Sequence, residues 1–128
     1  MSPTSALPTW LANALGSLTA GDLDGWMSIY APDAMHEFPW AAEDAVRRLE
    51  GRDAIADYMS RLPEVIEFGP FTDVHVREAG DETIVQATGH HRSPDGTPRD
   101  LGYIWFITRR DGKVTRIQDY MNALPGSE

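Results

Sequence analysis

The chain has no cysteine in its 128 residues, which excludes disulfides, thiolate metal sites and a cysteine nucleophile. It is also short of positive charge: eleven Lys and Arg stand against twenty Asp and Glu, for a net charge of −9. Its basic clusters are short and separate, Arg47, Arg48 and Arg52, then Arg109, Arg110 and Lys113. Such a balance repels phosphate backbones and anionic surfaces, so neither nucleic acid nor a membrane is expected as a partner. No apolar run approaches the roughly 18 residues that span a bilayer. The first ten residues lack the basic and apolar regions of a signal peptide, and a cytoplasmic protein is expected. Repeats, low-complexity tracts and linkers are missing too, and the length fits one domain over 1–128.

What the sequence does have is a dense aromatic and β-branched stretch, Arg99 to Asn122. Within it Asp111-Gly112 supplies the positive φ of a two-residue hairpin turn. If Arg110 faces Lys113, then Phe106 falls opposite Ile117 and Ile104 opposite Asp119. That register predicts one face carrying Gly102, Ile104, Phe106, Ile117, Asp119 and Met121, and another carrying Tyr103, Trp105, Ile107, Val114, Arg116, Gln118 and Tyr120. Both faces are largely apolar, so both should be covered. Asp119 is then a carboxylate on a wall that has to be partly dry.

Upstream, Leu11, Leu15 and Leu18 recur at helical spacing behind Pro8, which predicts a helix from Pro8 to about Ala20. Asp22 caps a second helix whose face holds Leu23, Trp26, Met27 and Tyr30, and Pro32 stops it. A short strand over Ala34 to Phe38 follows, then a polar run over Ala41 to Glu50 that is a loop or a loosely helical excursion. Gly51 opens a third helix, with Ile55, Tyr58, Met59 and Leu62 on one face and Pro63 at its end. The period then changes to two over Phe71 to Glu78 and Glu82 to Arg92, and Ser93 to Thr97 turns the chain into the hairpin. The fold class is α+β, with helices packed on one face of a curved antiparallel sheet.

Three segments, GDLDGWMSIYAPDAMHEF, LEGRDAIADYM and YIWFITRRDGKVTRIQDYMN, resemble in that order the nuclear-transport-factor-2-like superfamily. Within it the chain is similar to the SnoaL-like group of cyclases, ketosteroid isomerases and phenazine-biosynthesis A/B relatives. The resemblance covers nearly the whole chain. It implies a cone: a strongly curved sheet wrapped over three helices in the N-terminal half, enclosing a deep apolar pocket. It also implies what is missing, since the ketosteroid isomerases' catalytic aspartate falls on Phe38 and their oxyanion-hole pair on Ala14 and Ile104. Tyr30 matches a supporting tyrosine. In the phenazine A/B type the catalytic glutamate falls on Asp119, with Met121 and Asn122 matching beyond it, and SnoaL-like cyclases also place an acid on the last strand.

Asp119 is therefore the candidate general acid/base, the plainer reading being an anchor tied to a buried Tyr or His. His90 is expected to look inward at the pocket mouth as a proton shuttle, with His91 in its place if the turn that follows, at Pro94 to Gly96, is one residue shorter. Gln86 and Thr88 would be inward polar groups. His36 borders the pocket, and Trp26, Tyr30, Phe38, Tyr58, Met59, Ile104, Phe106 and Met121 would form its wall, with Trp40 as a lid. The histidine spacing suggests no metal site, and no cofactor is expected. A homodimer is expected through the outer sheet face, carried by Tyr103, Trp105 and Tyr120. The function expected is cofactor-independent proton transfer on a small carbonyl- or enol-bearing molecule, of isomerase, cyclase or condensation type. Water activation by Asp119 in a hydratase or hydrolase, and non-catalytic binding of a small ligand, stay open.

Overall fold

The computed structural model describes residues 7–123. Helix α1 (Thr9–Thr19) starts behind Pro8 and buries Leu11, Ala14 and Leu15. The chain reverses at Gly21, and the Asp22 side chain accepts the Gly25 N–H at 3.0 Å to cap α2 (Leu23–Met27). That helix is shorter than the periodicity predicts, because Tyr30 already begins strand β1 (Tyr30–Glu37). Pro32, expected to stop the helix, instead lies inside the strand, after the helix has already ended at Met27. It lies where the pairing of β1 with its neighbour is interrupted between Tyr30 and Met35, so its missing N–H breaks no regular ladder.

The polar run expected to be a loop or a loosely helical excursion yields a short strand, β2 (Arg48–Glu50), which pairs Leu49 with His36. Helix α3 (Arg52–Arg61) buries Ile55 and Met59 and runs into a single 3-10 turn at Leu62–Glu64. Four strands then follow as a meander: β3 (Phe71–Ala79), β4 (Glu82–Arg92), β5 (Pro98–Arg110) and β6 (Lys113–Ala123). The sheet is curved and unclosed, in the order β2-β1-β6-β5-β4-β3, with β1 and β6 its parallel pair. Leu11, Trp26 and Ile55 from the helices share one core with Val85, Ile107 and Val114 from the sheet. Full burial of an aliphatic side chain of this kind contributes about 1.5–3 kcal/mol. Across the core's edge, the Arg109 guanidinium lies 4.2 Å over the Trp10 ring and ties β5 to α1.

One inserted residue decides which side chains face the helices. Asp111 and Gly112 do form the hairpin turn, with φ of +52° and +79°, and Arg110 pairs with Lys113. Two rungs on, however, Thr108 pairs with Arg116, leaving Thr115 as an extra residue in β6. This β-bulge slips the register by one and reverses β5 relative to β6. Trp105 therefore faces Asp119, and Tyr103, Trp105 and Ile107 join Ile117, Asp119 and Met121 on the inner face. Ile104 and Phe106 lie outside, contrary to expectation. The pairing of β4 with β5 is as predicted, with Gln86 level with Ile104, Thr88 with Gly102 and His90 with Asp100. Those three residues accordingly go outside with β5, and His91 comes in. Among the described residues no helix is long and apolar enough to cross a membrane.

Candidate functional site

Between the helices and the inner face of the sheet lies a cavity of about 390 Å³. Its walls are mostly aliphatic and aromatic, with Leu15 from α1, Trp26 from α2, Met59 from α3 and Ile107 from β5 among them. Against that background the polar groups stand out: Asp119, Tyr58, Tyr103 and Arg99.

Asp119 is 9% exposed and held from two sides. The Trp105 indole, directly across the β5–β6 ladder, donates Nε1–H to Oδ1 at 3.0 Å. His36, on the parallel neighbour β1, sits 3.0 Å from Oδ2 through Nε2. Its other nitrogen, Nδ1, lies 3.0 Å from the Tyr30 hydroxyl, and its ring stacks on Phe38 at 4.8 Å. Burial, and secondarily the charge of Asp119, push the Tyr30 phenol well above its ordinary pKa, so it is protonated. No other acceptor for its hydrogen is found among the described residues. Tyr30 O–H therefore donates to His36 Nδ1, which leaves the imidazole proton on Nε2 to donate to Asp119. The chain Tyr30–His36–Asp119 is thus a directed hydrogen-bond relay ending on the Asp119 side chain, each oxygen of which keeps lone-pair capacity for a ligand. Tyr58, half-buried in the same wall, is raised by burial and then by Asp119.

The cavity has a second polar centre on β4 and β5. His91 is 1% exposed; its Nδ1 accepts the Gly69 N–H at 3.0 Å, and its Nε2 lies 2.9 Å from the Tyr103 hydroxyl. Burial, and then neighbouring His90, lower its pKa to about 4. Phe68 and Phe71 set their rings edge-on to it.

The expected residues divide accordingly. Asp119, Trp26, Phe38, Tyr58, Met59 and Met121 line the cavity, and Tyr30 and His36 stand directly behind Asp119. His90 does not reach it: on the outer face its ring is 2.7 Å from Thr72 Oγ1 and 3.1 Å from Asp100 Oδ1. Gln86, Thr88, Ile104 and Phe106 are absent from the wall for the same reason, the bulge at Thr115. Tyr103 and Trp105, expected on an outer interface, are buried cavity residues instead. Their inward placement is what the sequence reasoning missed, whereas His91, named as the alternative to His90, is the histidine that turns inward. Trp40 is 64% exposed and meets Tyr120 edge-on at 5.0 Å. It lines a smaller cavity of about 300 Å³ that shares Phe38, Tyr58, Asp119 and Met121 with the main one. Asp119 therefore stands where the two meet. Among the described residues no three His, Asp or Glu converge as a metal site requires.

Comparison with known proteins agrees with this geometry. Residues 12–117 match the SnoaL-like domain family, a span that ends just before Asp119. The chain is 36% identical over 107 residues to the uncharacterized YesE protein of Bacillus subtilis, covering 80% of this chain and 72% of that one. It is 32% identical over 120 residues to an uncharacterized PhzA/B-like protein of Pseudomonas aeruginosa, covering 89% and 82%. A solved Bacillus subtilis structure named "Putative Isomerase" superposes with a TM-score of 0.84 at 29% identity, covering 95% of this chain and 90% of that one. A cone-shaped sheet closed by helices, an apolar cavity and a matching family model over most of the chain lead to one assignment: this chain belongs to the SnoaL-like family and has the nuclear-transport-factor-2-like fold.

Proposed function

We propose that the protein is a cofactor-independent enzyme in which Asp119 moves a proton on a small, mostly apolar, carbonyl- or enol-bearing molecule held in the cavity. The observation that carries this reading is the carboxylate of Asp119 on an apolar wall, oriented by Trp105 and by the Tyr30–His36 relay. An apolar cavity of about 390 Å³ suits a compact organic molecule, and a fixed carboxylate in it is a base at one position only. Asp119 takes a proton from the carbon next to a carbonyl and returns it elsewhere on the same framework. His36 acts through Asp119: its Nε2–H fixes which lone pairs remain for the substrate.

The reading also takes the protein to work in the cytoplasm as a homodimer through the outer sheet face, whose apolar groups are now Ile104, Phe106 and Tyr120. One observation favours a second reading. Both oxygens of Asp119 already carry a protein donor, which also suits an anchor in a binding protein without turnover.

Deuterium exchange separates the two. The ketone 2-tetralone in D2O, followed by proton NMR, reports proton abstraction without knowledge of the natural substrate. Exchange above the buffer rate is expected for the wild type, with Asp119→Asn lowering it on the order of 100-fold while affinity holds. Saturable binding with no accelerated exchange supports the binding protein, and unchanged exchange in Asp119→Asn removes Asp119 from the chemistry. A hydrolase would instead need Asp119 to orient a water, and would show no carbon-bound exchange.

A further inference from the structure

We infer that the Tyr103–His91 pair is a dedicated hydrogen-bond donor for the oxygen of the substrate, so that the cavity takes a ketone-class molecule with its oxygen on Tyr103 and its acidic C–H on Asp119. This rests on the proton-transfer reading of Asp119 and adds the group that receives the electrons.

The inference follows from counting hydrogens. The Gly69 N–H points at His91 Nδ1, so that nitrogen is an acceptor and carries no proton of its own. A neutral imidazole then keeps its proton on Nε2, which donates to the Tyr103 oxygen 2.9 Å away. The low pKa of His91, about 4, is consistent with a neutral ring at pH 7. Tyr103 is thereby an acceptor toward His91, and its own O–H finds no acceptor among the described residues. Yet Tyr103 is only 7% exposed and lines the cavity. A buried hydroxyl hydrogen without a partner costs about as much as a lost hydrogen bond, unless a ligand takes it.

The surrounding backbone is shaped to hold this pair. A Cβ at Gly69 would collide with the carbonyl oxygen of His90, so only glycine lets that N–H come close to His91. A Cβ at Gly89 would fall on the His91 imidazole and lie 2.8 Å from the Tyr103 ring. On the inner face Tyr103 and Asp119 are diagonal neighbours, since Tyr103 pairs with Met121 and Trp105 with Asp119. One small molecule can therefore touch both.

The step balances without any co-reactant. A C–H bond next to the carbonyl breaks and its proton passes to a carboxylate oxygen of Asp119. The bonding pair becomes a C=C bond, and the C=O π pair settles on oxygen as an enolate that accepts the Tyr103 O–H. Return of the proton to carbon, at the same or a conjugated position, restores the carbonyl and the Asp119 carboxylate.

The test reads binding and spectroscopy, so it stands whether or not turnover is found. The probes are 2-tetralone, labelled with carbon-13 at its carbonyl, and its hydrocarbon counterpart 2-methylenetetralin. In the wild type the infrared carbonyl band of bound 2-tetralone is expected to lie below its position in hexane. Tyr103→Phe should return the band toward the hexane position and weaken ketone binding about threefold to tenfold, the scale of one hydrogen bond. The same variant should leave the hydrocarbon's affinity within about twofold, which shows that the cavity is intact. Asp119→Asn should keep the band shift while losing exchange, so failure of the proton-transfer reading and failure of this one look different. A shifted band that survives in Tyr103→Phe, or a wild type that binds the ketone no better than the hydrocarbon relative to that variant, overturns the inference.

Discussion

Replacing His91 by Gln should flatten the acid dependence of stability, and the structure gives the size of the effect. The imidazole is 1% exposed, and its pKa is brought down from 6.5 to about 4, first by burial and then by His90, with Asp100 opposing. Tyr103 is its hydrogen-bonded neighbour and is neutral, its own pKa raised by burial and then by Asp119. Between pH 6.5 and 4 the unfolded chain therefore binds a proton at His91 that the folded chain refuses. Stability from this group is complete above pH 6.5 and is lost as pH falls toward 4, at about 1.4 kcal/mol per pH unit. The loss over the window is about 3 kcal/mol. With urea slopes of about 1–3 kcal/mol per molar for a small domain, that is a midpoint shift of one to three molar. Urea unfolding followed by tryptophan fluorescence at several pH values between 7 and 4 measures it. His91→Gln should be less stable than the wild type at pH 7, because it breaks the bonds to Gly69 and Tyr103, but the two should converge by about 3 kcal/mol at pH 4. Wild type and variant losing stability in parallel would refute the reasoning, since the acid sensitivity would then belong to other groups.

Two glycines should respond oppositely to one methyl group. Gly89→Ala drives its Cβ into the His91 imidazole and should cost about 1–3 kcal/mol, whereas Gly16→Ala, with open space around an exposed position in α1, should stabilise by about 0.5–1 kcal/mol; thermal unfolding compares them. If the outer face joins two copies, Phe106→Glu should give monomers in sedimentation velocity while leaving the inner cavity alone. A dimer that persists places the contact elsewhere.

How much of this was legible can be followed along β5. Turn chemistry read two hairpins well: Asp111-Gly112 gave the right turn, and the turn after Ser93 gave the right pairing of His90 with Asp100. The inward set Ile117, Asp119 and Met121 was also right. The error entered between them, at Thr115. An inserted residue leaves no periodic trace, and the run Tyr103, Ile104, Trp105, Phe106, Ile107 is apolar at every position, so no polar residue marks the phase. One slip then moved Gln86, Thr88, His90, Ile104 and Phe106 to the wrong side together. The contact of His36 with Asp119 was illegible for a different reason: the two lie 83 residues apart and meet only because β1 and β6 are sheet neighbours. Asp22 and Pro32 marked where α2 begins and where a helix cannot continue, but not that Tyr30 had already entered a strand.

The parallel pairing of β1 with β6 also sets the order in which the molecule is made. Strands β3 to β6 follow one another through short turns and can zip locally as they are synthesised. β1 is made early but, apart from the three-residue β2, has no sheet partner until β6 exists. Its pairing closes a long loop, and that entropy is offset only when many contacts form at once, which makes such pairing slow relative to hairpins. The imidazole and the carboxylate come from opposite sides of that closure. A chain still on the ribosome, or stalled with β1 undocked, can hold much of the meander and still lack the pair. The candidate site is completed only when the last strand pairs with β1, so the contact of His36 with Asp119 is a clock for the completion of the fold.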